Sequence, residues 1–279
     1  RRQTKMNKIG CTQWGMPGNG WYAVRMAAAA GLDGLQIELG SYEKGYPMAQ
    51  QVVYEAYLEE GAKYGIEFPS FVLNDLTVNE FVNGKETERG QISYEQMKIG
   101  IDVAAKMGVK VVMIPNFFNN FITEEKHYKN AAEALKFCCD EAGQHGMTIA
   151  TEGVLAWKDH KRIVDAVNMP NLEVFFDSMN YKFFSGLNQL EVLEDVYPSV
   201  ERLGQLHVKD GKDVLSGALL GEGDMDFFAQ IEALKKKKYQ GWIIMEDYYC
   251  EGPNQSKNLL DQLAMLKQDV ATLKNALAK

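Results

Sequence analysis

The chain has 279 residues, a length at which an α/β barrel is commonly a single domain. It is 46% hydrophobic and 24% charged, values that are typical of a globular protein and argue against extensive disorder. The net charge of −8 at pH 7 argues against a nucleic-acid partner, because proteins that bind phosphate backbones usually carry a basic face.

The sequence predicts neither a membrane span nor a disulfide framework. No apolar run approaches the roughly 18 residues of a transmembrane helix, and the N-terminus has no signal-peptide apolar region. The four cysteines contain no CxxC pair, so we expect reduced thiols and a cytoplasmic location. We interpret residues 1–7 as an N-terminal extension, left either from expression or from a removed targeting segment, and residues 8–279 as one barrel domain.

Short apolar or β-branched runs alternate with longer segments of helical periodicity along the whole chain. The predicted strands cover 8–13, 34–39, 66–72, 109–114, 147–152, 173–177, 203–208 and 242–246. The predicted helices cover 20–30, 48–64, 91–107, 124–144, 159–167, 188–198, 226–237 and 256–277. Several helices end at a glycine before the next strand, as in "AAGLDG" and "KYGIEF".

This alternation predicts an α/β fold, specifically a (β/α)8 TIM barrel. Strands that are joined by crossover helices run parallel, and eight such units in about 250 residues close most economically into a barrel. A doubly wound sheet is the alternative, but the turn "CTQWGMPGNG" after the first strand lacks the GxGxxG spacing of a dinucleotide-binding turn. In a barrel, catalytic side chains are expected at the carboxyl ends of several strands.

Four consecutive predicted strands end at or near residues of metal-ligand type, which are Glu152, Asp177, His207 and Glu246. Each follows an apolar run, where an ionisable side chain is unfavourable unless it is paired, solvated or bound to metal. Each also has a structural interpretation when taken singly. Glu152 could cap a helix, and Asp177 could form an Asx turn. His207 could be a hydrogen-bonded core histidine, and Glu246 could form a solvated edge with Asp247.

Together the four side chains predict a site for one divalent metal ion. Three carboxylates and one imidazole at one end of a barrel would repel one another at short range without a cation. An ion bound by all four side chains removes this repulsion and leaves room for two substrate oxygens. Mixed oxygen and nitrogen ligands suit Mn²⁺, Mg²⁺, Co²⁺ or Zn²⁺ and do not select among them.

The stretches around these residues carry a family pattern that is strongest from about 147 to 250. They are "IATEG", "FFDSMN", "LHVKD" and the run "GEGDMDFFAQIEALKKKKYQGWIIMED". The sequence resembles the xylose-isomerase-like TIM barrel superfamily of sugar and sugar-phosphate isomerases and epimerases, and is most similar in pattern to the ketose 3-epimerases. The resemblance implies metal ligation by all four residues, with Glu152 and Glu246 as the acid and base.

The chemistry of proton transfer agrees with this assignment. A metal on the carbonyl and the neighbouring hydroxyl of a ketose stabilises the enediolate that forms when a carbon-bound proton is removed. One carboxylate takes the proton, and the other returns a proton to the opposite face and so inverts the stereocentre. We therefore expect an epimerase or isomerase of a ketose or ketose phosphate.

Four more residues are candidates for substrate binding. Lys209 resembles the lysine of the sugar-phosphate members and should point to the same side of its strand as the metal histidine, although an ion pair with Asp210 or a neighbouring carboxylate is the alternative. Asn180 stands where relatives often have histidine. Trp14 follows the first strand and Glu38 closes the second, so both could line the pocket.

Two positions depart from the free-ketose epimerases. Those enzymes have a substrate-contacting glutamate six residues after the first metal glutamate and an arginine six residues after the metal histidine. This sequence has Lys158 and Asp213 there. The departure argues against a tagatose- or psicose-type substrate.

Three other functions stay open on the same scaffold. A dehydratase of the inosose or dehydroshikimate type would use the same ligands, and a non-enzymatic sugar-binding barrel would not need two opposed carboxylates. An abasic-site endonuclease needs a three-metal cluster with several histidines, which four histidines and a net charge of −8 disfavour. We expect a small carbohydrate substrate, no nucleic-acid or membrane partner, and a homo-oligomer, either a dimer or a tetramer.

Overall fold

The computed structural model describes residues 7–199, 203–250, 254 and 258–278. Over these residues the strands form a closed parallel barrel in which each strand lies beside the next in sequence and the last lies beside the first. The strands are β1 (Ile9–Thr12), β2 (Gly34–Glu38), β3 (Phe71–Val72), β4 (Val111–Asn116), β5 (Thr148–Gly153), β6 (Leu172–Asp177), β7 (Leu203–Val208) and β8 (Trp242–Met245). The predicted (β/α)8 barrel is confirmed.

Helices connect the strands at the positions that the periodicity predicted, with one addition. They are α1 (Tyr22–Ala30), α2 (Gln51–Tyr64), α3 (Glu88–Lys106), α4 (Glu125–Gly143), α5 (Trp157–Val167), α6 (Asn180–Ser185), α7 (Gln189–Ser199), α8 (Phe227–Lys236) and α9 (Leu259–Ala278). The added helix is α6, which is too short to show helical periodicity in the sequence. In the described parts of the chain, no helix combines the length and apolarity that crossing a bilayer would require.

Element ends differ from prediction where the backbone chemistry intervenes. The third strand was predicted over 66–72, but β3 is only Phe71–Val72. Pro69 has no N–H to donate to a neighbouring strand, so regular pairing begins after it. The predicted start of the last helix at 256 and residues 1–6 of the predicted N-terminal extension lie outside the described residues.

Two compact units can be distinguished among the described residues. The first comprises the described residues within 1–36, 59–67 and 176–279, and the second comprises Ile37–Leu58 and Phe68–Phe175. Two of the boundaries between the units fall inside strands, namely β2 and β6.

In the first unit, β1, β7 and β8 are aligned at their carboxyl ends. Cys11 of β1 and Val208 of β7 both pair with Met245, the last residue of β8. Beyond the strand, the backbone N–H of Glu246 donates to the carbonyl of Val208 at 2.9 Å. Ladder hydrogen bonds therefore fix the backbone of the residues that leave β8.

In the second unit, Glu152 is held by strands on both sides. It pairs with Pro115 of β4 and with Phe175 of β6. Its backbone is thus fixed at the carboxyl end of β5, one residue before the strand ends.

Candidate active site

The four predicted metal ligands lie at the carboxyl ends of four consecutive strands. Glu152 and His207 are next to last in β5 and β7, Asp177 ends β6, and Glu246 follows β8 directly. Glu152, Asp177, His207 and Glu246 are 1%, 0%, 0% and 8% exposed. Buried ionisable groups need partners, so their neighbours decide what the site can do.

Three of these residues form a cluster of possible metal ligands. Glu152, Asp177 and His207 each offer one ligand atom, and these atoms lie within 4.8 Å of one another. Among the described residues this cluster does not include Glu246. However, Glu246 Oε2 lies 3.3 Å from His207 Nδ1, and Asp177 Oδ2 lies 3.5 Å from the same nitrogen. His207 Nδ1 therefore faces two carboxylates.

The two carboxylate oxygens of Asp177 have different partners. Oδ1 accepts hydrogen bonds from the backbone N–H groups of Met179 at 2.8 Å and Asn180 at 2.6 Å, which begins α6. This is the Asx turn that the sequence offered as the structural interpretation. Oδ2 lies instead on the side of His207 and Lys209. One carboxylate therefore anchors the local turn and also takes part in the cluster.

Lys209 places a buried cation between two of the predicted ligands. Its Nζ lies 3.0 Å from Asp177 Oδ2 and donates to Glu246 Oε2, and the residue is 2% exposed. The ion pair that the sequence offered as an alternative is thus present, with these two carboxylates rather than with Asp210. Burial opposes ionisation of Asp177, but Lys209, His207 and a backbone N–H outweigh it and hold the pKa of Asp177 well below its usual value.

The other ring nitrogen of His207 contacts Gln36, which is not among the residues predicted from the sequence. His207 Nε2 lies 2.7 Å from Gln36 Oε1, and both residues are completely buried. The sequence signal for Gln36 is a polar amide inside the apolar strand "GLQIEL". A buried amide in such a strand needs a hydrogen-bond partner.

Trp14 contacts the predicted site through its polar edge. It lies in the short 3₁₀ turn Gln13–Gly15, and its Nε1 donates to Glu246 Oε1 at 3.0 Å. The indole also meets the His207 ring edge to face, with centroids 6.2 Å apart. The backbone N–H of Tyr249 donates to the carbonyl of Gly15, which ties this turn to the segment that follows β8.

Two further buried carboxylates, Asp210 and Asp247, accept hydrogen bonds from the backbone of the segment that follows β7. Asp210 Oδ1 accepts from the backbone N–H groups of Gly211 and Met225, and its Oδ2 accepts from that of Gly221. The backbone N–H of Asp210 donates in turn to Asp247 Oδ1 at 3.0 Å. Asp210 thereby closes the long connection between β7 and α8.

Asp247 is completely buried and Glu246 is 8% exposed, so these two residues do not form a solvated edge. Burial and the neighbouring Asp269 raise the pKa of Asp247 well above its usual value. Asp269, on α9, accepts from the Tyr249 hydroxyl at 2.6 Å and from the backbone N–H of Leu220 at 2.9 Å. These contacts attach α9 to the segments that follow β7 and β8.

The remaining candidates for substrate binding, Glu38 and Asn180, are not among the possible metal ligands in the described part of the chain. Glu38, in the second unit, accepts a hydrogen bond from the side chain of Asn74 at 2.9 Å. Asn180 is 3% exposed and stands at the first position of α6. Neither belongs to the cluster of possible ligands among the described residues.

The donor set fits a divalent metal ion. Its oxygen and nitrogen donors are typical ligands of Mn²⁺, Zn²⁺ and related ions, and the depressed pKa of Asp177 keeps that carboxylate charged. A ring nitrogen that faces two carboxylate oxygens is stable only when a proton or a metal cation lies between them. The residues present are therefore compatible with the predicted ion.

Comparison with known proteins gives the same family as the sequence patterns. A family model described as the xylose isomerase-like TIM barrel matches residues 24–269. A 2-epi-5-epi-valiolone 7-phosphate 2-epimerase from Actinoplanes sp. is 25% identical over 250 residues, which are 88% of each chain. An inosose dehydratase from Clostridium perfringens is 25% identical over 198 residues, which are 58% of this chain and 63% of that protein.

Solved structures show the same fold at lower identity. A D-allulose 3-epimerase from Methylomonas sp. superposes with a TM-score of 0.76 at 19% identity, covering 98% of both chains. The IOLI protein with a bound zinc atom superposes with a TM-score of 0.75 at 17% identity, covering 95% of this chain and 97% of that one.

The comparisons support an enzyme with an epimerase-like or isomerase-like function. The family match spans most of the chain, and the two sequence relatives described above are enzymes. The protein belongs to the xylose isomerase-like TIM barrel family.

Proposed function

We propose that this enzyme is a divalent-metal-dependent epimerase or isomerase that moves a proton next to the carbonyl of a ketose or ketose phosphate. The observation that carries the proposal is the cluster of Glu152, Asp177 and His207, with Glu246 3.3 Å from His207 Nδ1. The Actinoplanes relative is by name a 2-epimerase of a phosphorylated substrate, and the Methylomonas neighbour is by name a 3-epimerase of a ketose. Both names describe inversion of one carbon centre.

Glu152, Asp177, His207 and Glu246 would hold the metal ion. When bound, a divalent ion supplies Lewis acidity, which polarises a carbonyl and makes a neighbouring C–H more acidic. The IOLI neighbour is described with zinc, and the donor types here also suit Mn²⁺, Mg²⁺ and Co²⁺.

Glu152 and Glu246 would exchange protons with the substrate. They belong to β5 and to the end of β8, which are three strands apart around the barrel. One carboxylate would remove the carbon-bound proton from one face, and the other would deliver a proton to the opposite face. A carbon that is deprotonated and reprotonated in this way is inverted, which a single carboxylate on one face cannot achieve.

The neighbours of Glu246 support its role as an oriented base. Trp14 donates to Oε1 and Lys209 donates to Oε2, so both oxygens of the carboxylate are held. The Lys209 ammonium group would also donate to a substrate oxygen once the substrate is bound. Asn180 and Glu38 are proposed to contact substrate hydroxyls.

A deuterium wash-in experiment tests the proposal. Metal-loaded protein in D₂O is given pentuloses, hexuloses, cyclic polyol ketones and their phosphates, and NMR follows exchange at each carbon. We expect deuterium at one carbon beside the carbonyl, with inversion of that centre in an epimerase or an aldose product in an isomerase. Glu152→Gln and Glu246→Gln should each lower the exchange rate by about 100-fold or more.

The matched control is Glu191→Gln, since Glu191 is an exposed glutamate on α7. With this variant the substrate should exchange its carbon-bound proton for deuterium at the wild-type rate. Undiminished exchange in both site variants, or no exchange with any substrate of the panel, would contradict the proposed function.

A dehydratase is the second candidate, because the chain is also similar to an inosose dehydratase. The same proton abstraction beside a carbonyl would then be followed by departure of a β-hydroxyl rather than by reprotonation. A product lighter by one water, detected by mass spectrometry in the same experiment, would favour this candidate over the epimerase.

A further inference from the structure

Gln36 contacts one of the two ring nitrogens of His207. Gln36 lies on β2, is 0% exposed, and has its Oε1 2.7 Å from His207 Nε2. Its strand neighbours Leu35 and Ile37 are also 0% exposed. An amide side chain in such apolar surroundings is unfavourable unless it is hydrogen-bonded, so this contact constrains both side chains.

The position of the Gln36 amide oxygen beside Nε2 sets the direction of the hydrogen bond. An amide carbonyl oxygen only accepts hydrogen bonds, so the imidazole must be the donor at Nε2. A neutral imidazole has a single N–H, and its other nitrogen then has a lone pair. In His207 that other nitrogen is Nδ1, which lies 3.5 Å from Asp177 Oδ2 and 3.3 Å from Glu246 Oε2.

We propose that Gln36 is a positioning residue that keeps the proton of His207 on Nε2 and so presents Nδ1 to the metal ion. The inference rests on the metal site of the proposed function. A metal ligand must offer an unprotonated nitrogen, and a partner on the opposite nitrogen sets both the tautomer and the orientation of the ring. Because β2 precedes β7 by a long stretch of chain, the contact is entirely tertiary.

Three variants separate this role from simple packing. Gln36→Met removes the acceptor at nearly constant volume, whereas Gln36→Glu keeps an acceptor oxygen at the same place. Gln189→Met is the control. Gln189, the first residue of α7, is another buried glutamine, 1% exposed, and its amide N–H donates to the carbonyl of Met225. The two methionine variants therefore lose a comparable buried amide.

The first readout is the affinity for Zn²⁺, measured by competition with a chromogenic chelator. We expect Gln36→Met to weaken Zn²⁺ binding by about 10–100-fold, and Gln36→Glu to stay within a few-fold of the wild type. Gln189→Met should bind Zn²⁺ as the wild type does. Wild-type affinity in Gln36→Met would overturn the inference.

The second readout needs no substitution at Gln36. Long-range ¹H–¹⁵N spectra of the Zn²⁺-loaded wild type should show His207 protonated at Nε2 and coordinated at Nδ1, with the signal assigned by its loss in His207→Ala. The opposite tautomer would overturn the inference while leaving the metal site intact. If no histidine signal responds to Zn²⁺, the metal site of the proposed function fails as well, which distinguishes the two failures.

Discussion

Lys209 is a buried ammonium group that faces Asp177 and Glu246 and is 2% exposed. If it is removed, two carboxylates remain close together with one fewer positive charge between them. Breaking a buried ion pair from one side costs about 3–5 kcal/mol, since the remaining charge stays buried without compensation. We expect Lys209→Met to lower the free energy of unfolding of the metal-free protein by an amount of this order, measured by urea titration.

The control for this prediction is Lys182→Met. Lys182 lies 3.4 Å from Asp224 and its side chain is 40% exposed, so its removal should change stability by less than about 1 kcal/mol. Equal small effects in the two variants would show that the charge of Lys209 contributes nothing to the stability of the folded state.

Individual residues differ in how much of their role the sequence could predict. Glu152, Asp177 and His207 are conspicuous in the sequence because each is an ionisable residue at or next to the end of an apolar strand. In the structure, one possible ligand atom of each lies within 4.8 Å of the others. Gln36 gave only the weaker signal of an amide in an apolar run. Its partner is 171 positions away, and no local pattern indicates such a contact.

At the scale of elements, the connection between β7 and α8 depends on Asp210. Its carboxylate accepts from the backbone N–H groups of Gly211, Gly221 and Met225, which span the connection. Hydrogen bonds to a charged group contribute about 1.5–3 kcal/mol each, and water can replace part of that in a loop. We expect Asp210→Ala to lower the free energy of unfolding by about 2–4 kcal/mol and to speed hydrogen exchange at the Gly221 and Met225 amides.

Asp213→Ala is the matched control, because Asp213 lies in the same connection and is exposed. It should leave both the unfolding free energy and these exchange rates unchanged. Slow exchange at both amides in Asp210→Ala would show that other contacts hold the connection closed.

The attachment of α9 predicts a pH dependence of stability. Burial raises the pKa of Asp269 from 3.8 to about 6. Between about pH 4 and pH 6 the folded state therefore binds more protons than the unfolded state, and the free energy of unfolding falls as the pH rises through this window. A shift of this size corresponds to at most about 3 kcal/mol.

Asp269→Asn removes this titration and can still accept from Leu220 through its amide oxygen. The difference in unfolding free energy between wild type and variant should therefore change by up to about 3 kcal/mol between pH 4 and pH 7, measured by urea titration at each pH. Leu260→Ala, at an exposed and uncharged position at the start of α9, should show a constant difference. Parallel pH profiles for wild type and Asp269→Asn would contradict the raised pKa.

For the whole molecule, the sequence predicted the architecture more completely than the site. Alternating periodicity is a local property of each segment, and its eightfold repetition has few compact solutions, so the barrel followed from it. The third strand was predicted too long because Pro69 interrupts its pairing. The hydrogen bonds around the candidate site join segments that are far apart in the sequence. Examples are the bond from Trp14 to Glu246 and the bond from the Asp210 backbone N–H to Asp247.

The proposed metal site links distant parts of the chain, and this predicts a stabilisation by metal at the scale of the whole protein. Its four ligands lie between positions 152 and 246, so an unfolded chain has no preformed site. A metal that binds only the folded state stabilises it by about 2.7 kcal/mol at a free concentration 100 times its Kd. We expect Zn²⁺ or Mn²⁺ to raise the unfolding free energy by about this amount, and EDTA to reverse the change. The metal-free chain should stay folded, since its strands are buried without any ion.

Two histidine variants test where the ion binds. His207→Ala should lose most of the stabilisation, whereas His145→Ala, at an exposed histidine, should keep it. An equal metal effect in both histidine variants would place the bound ion elsewhere on the molecule.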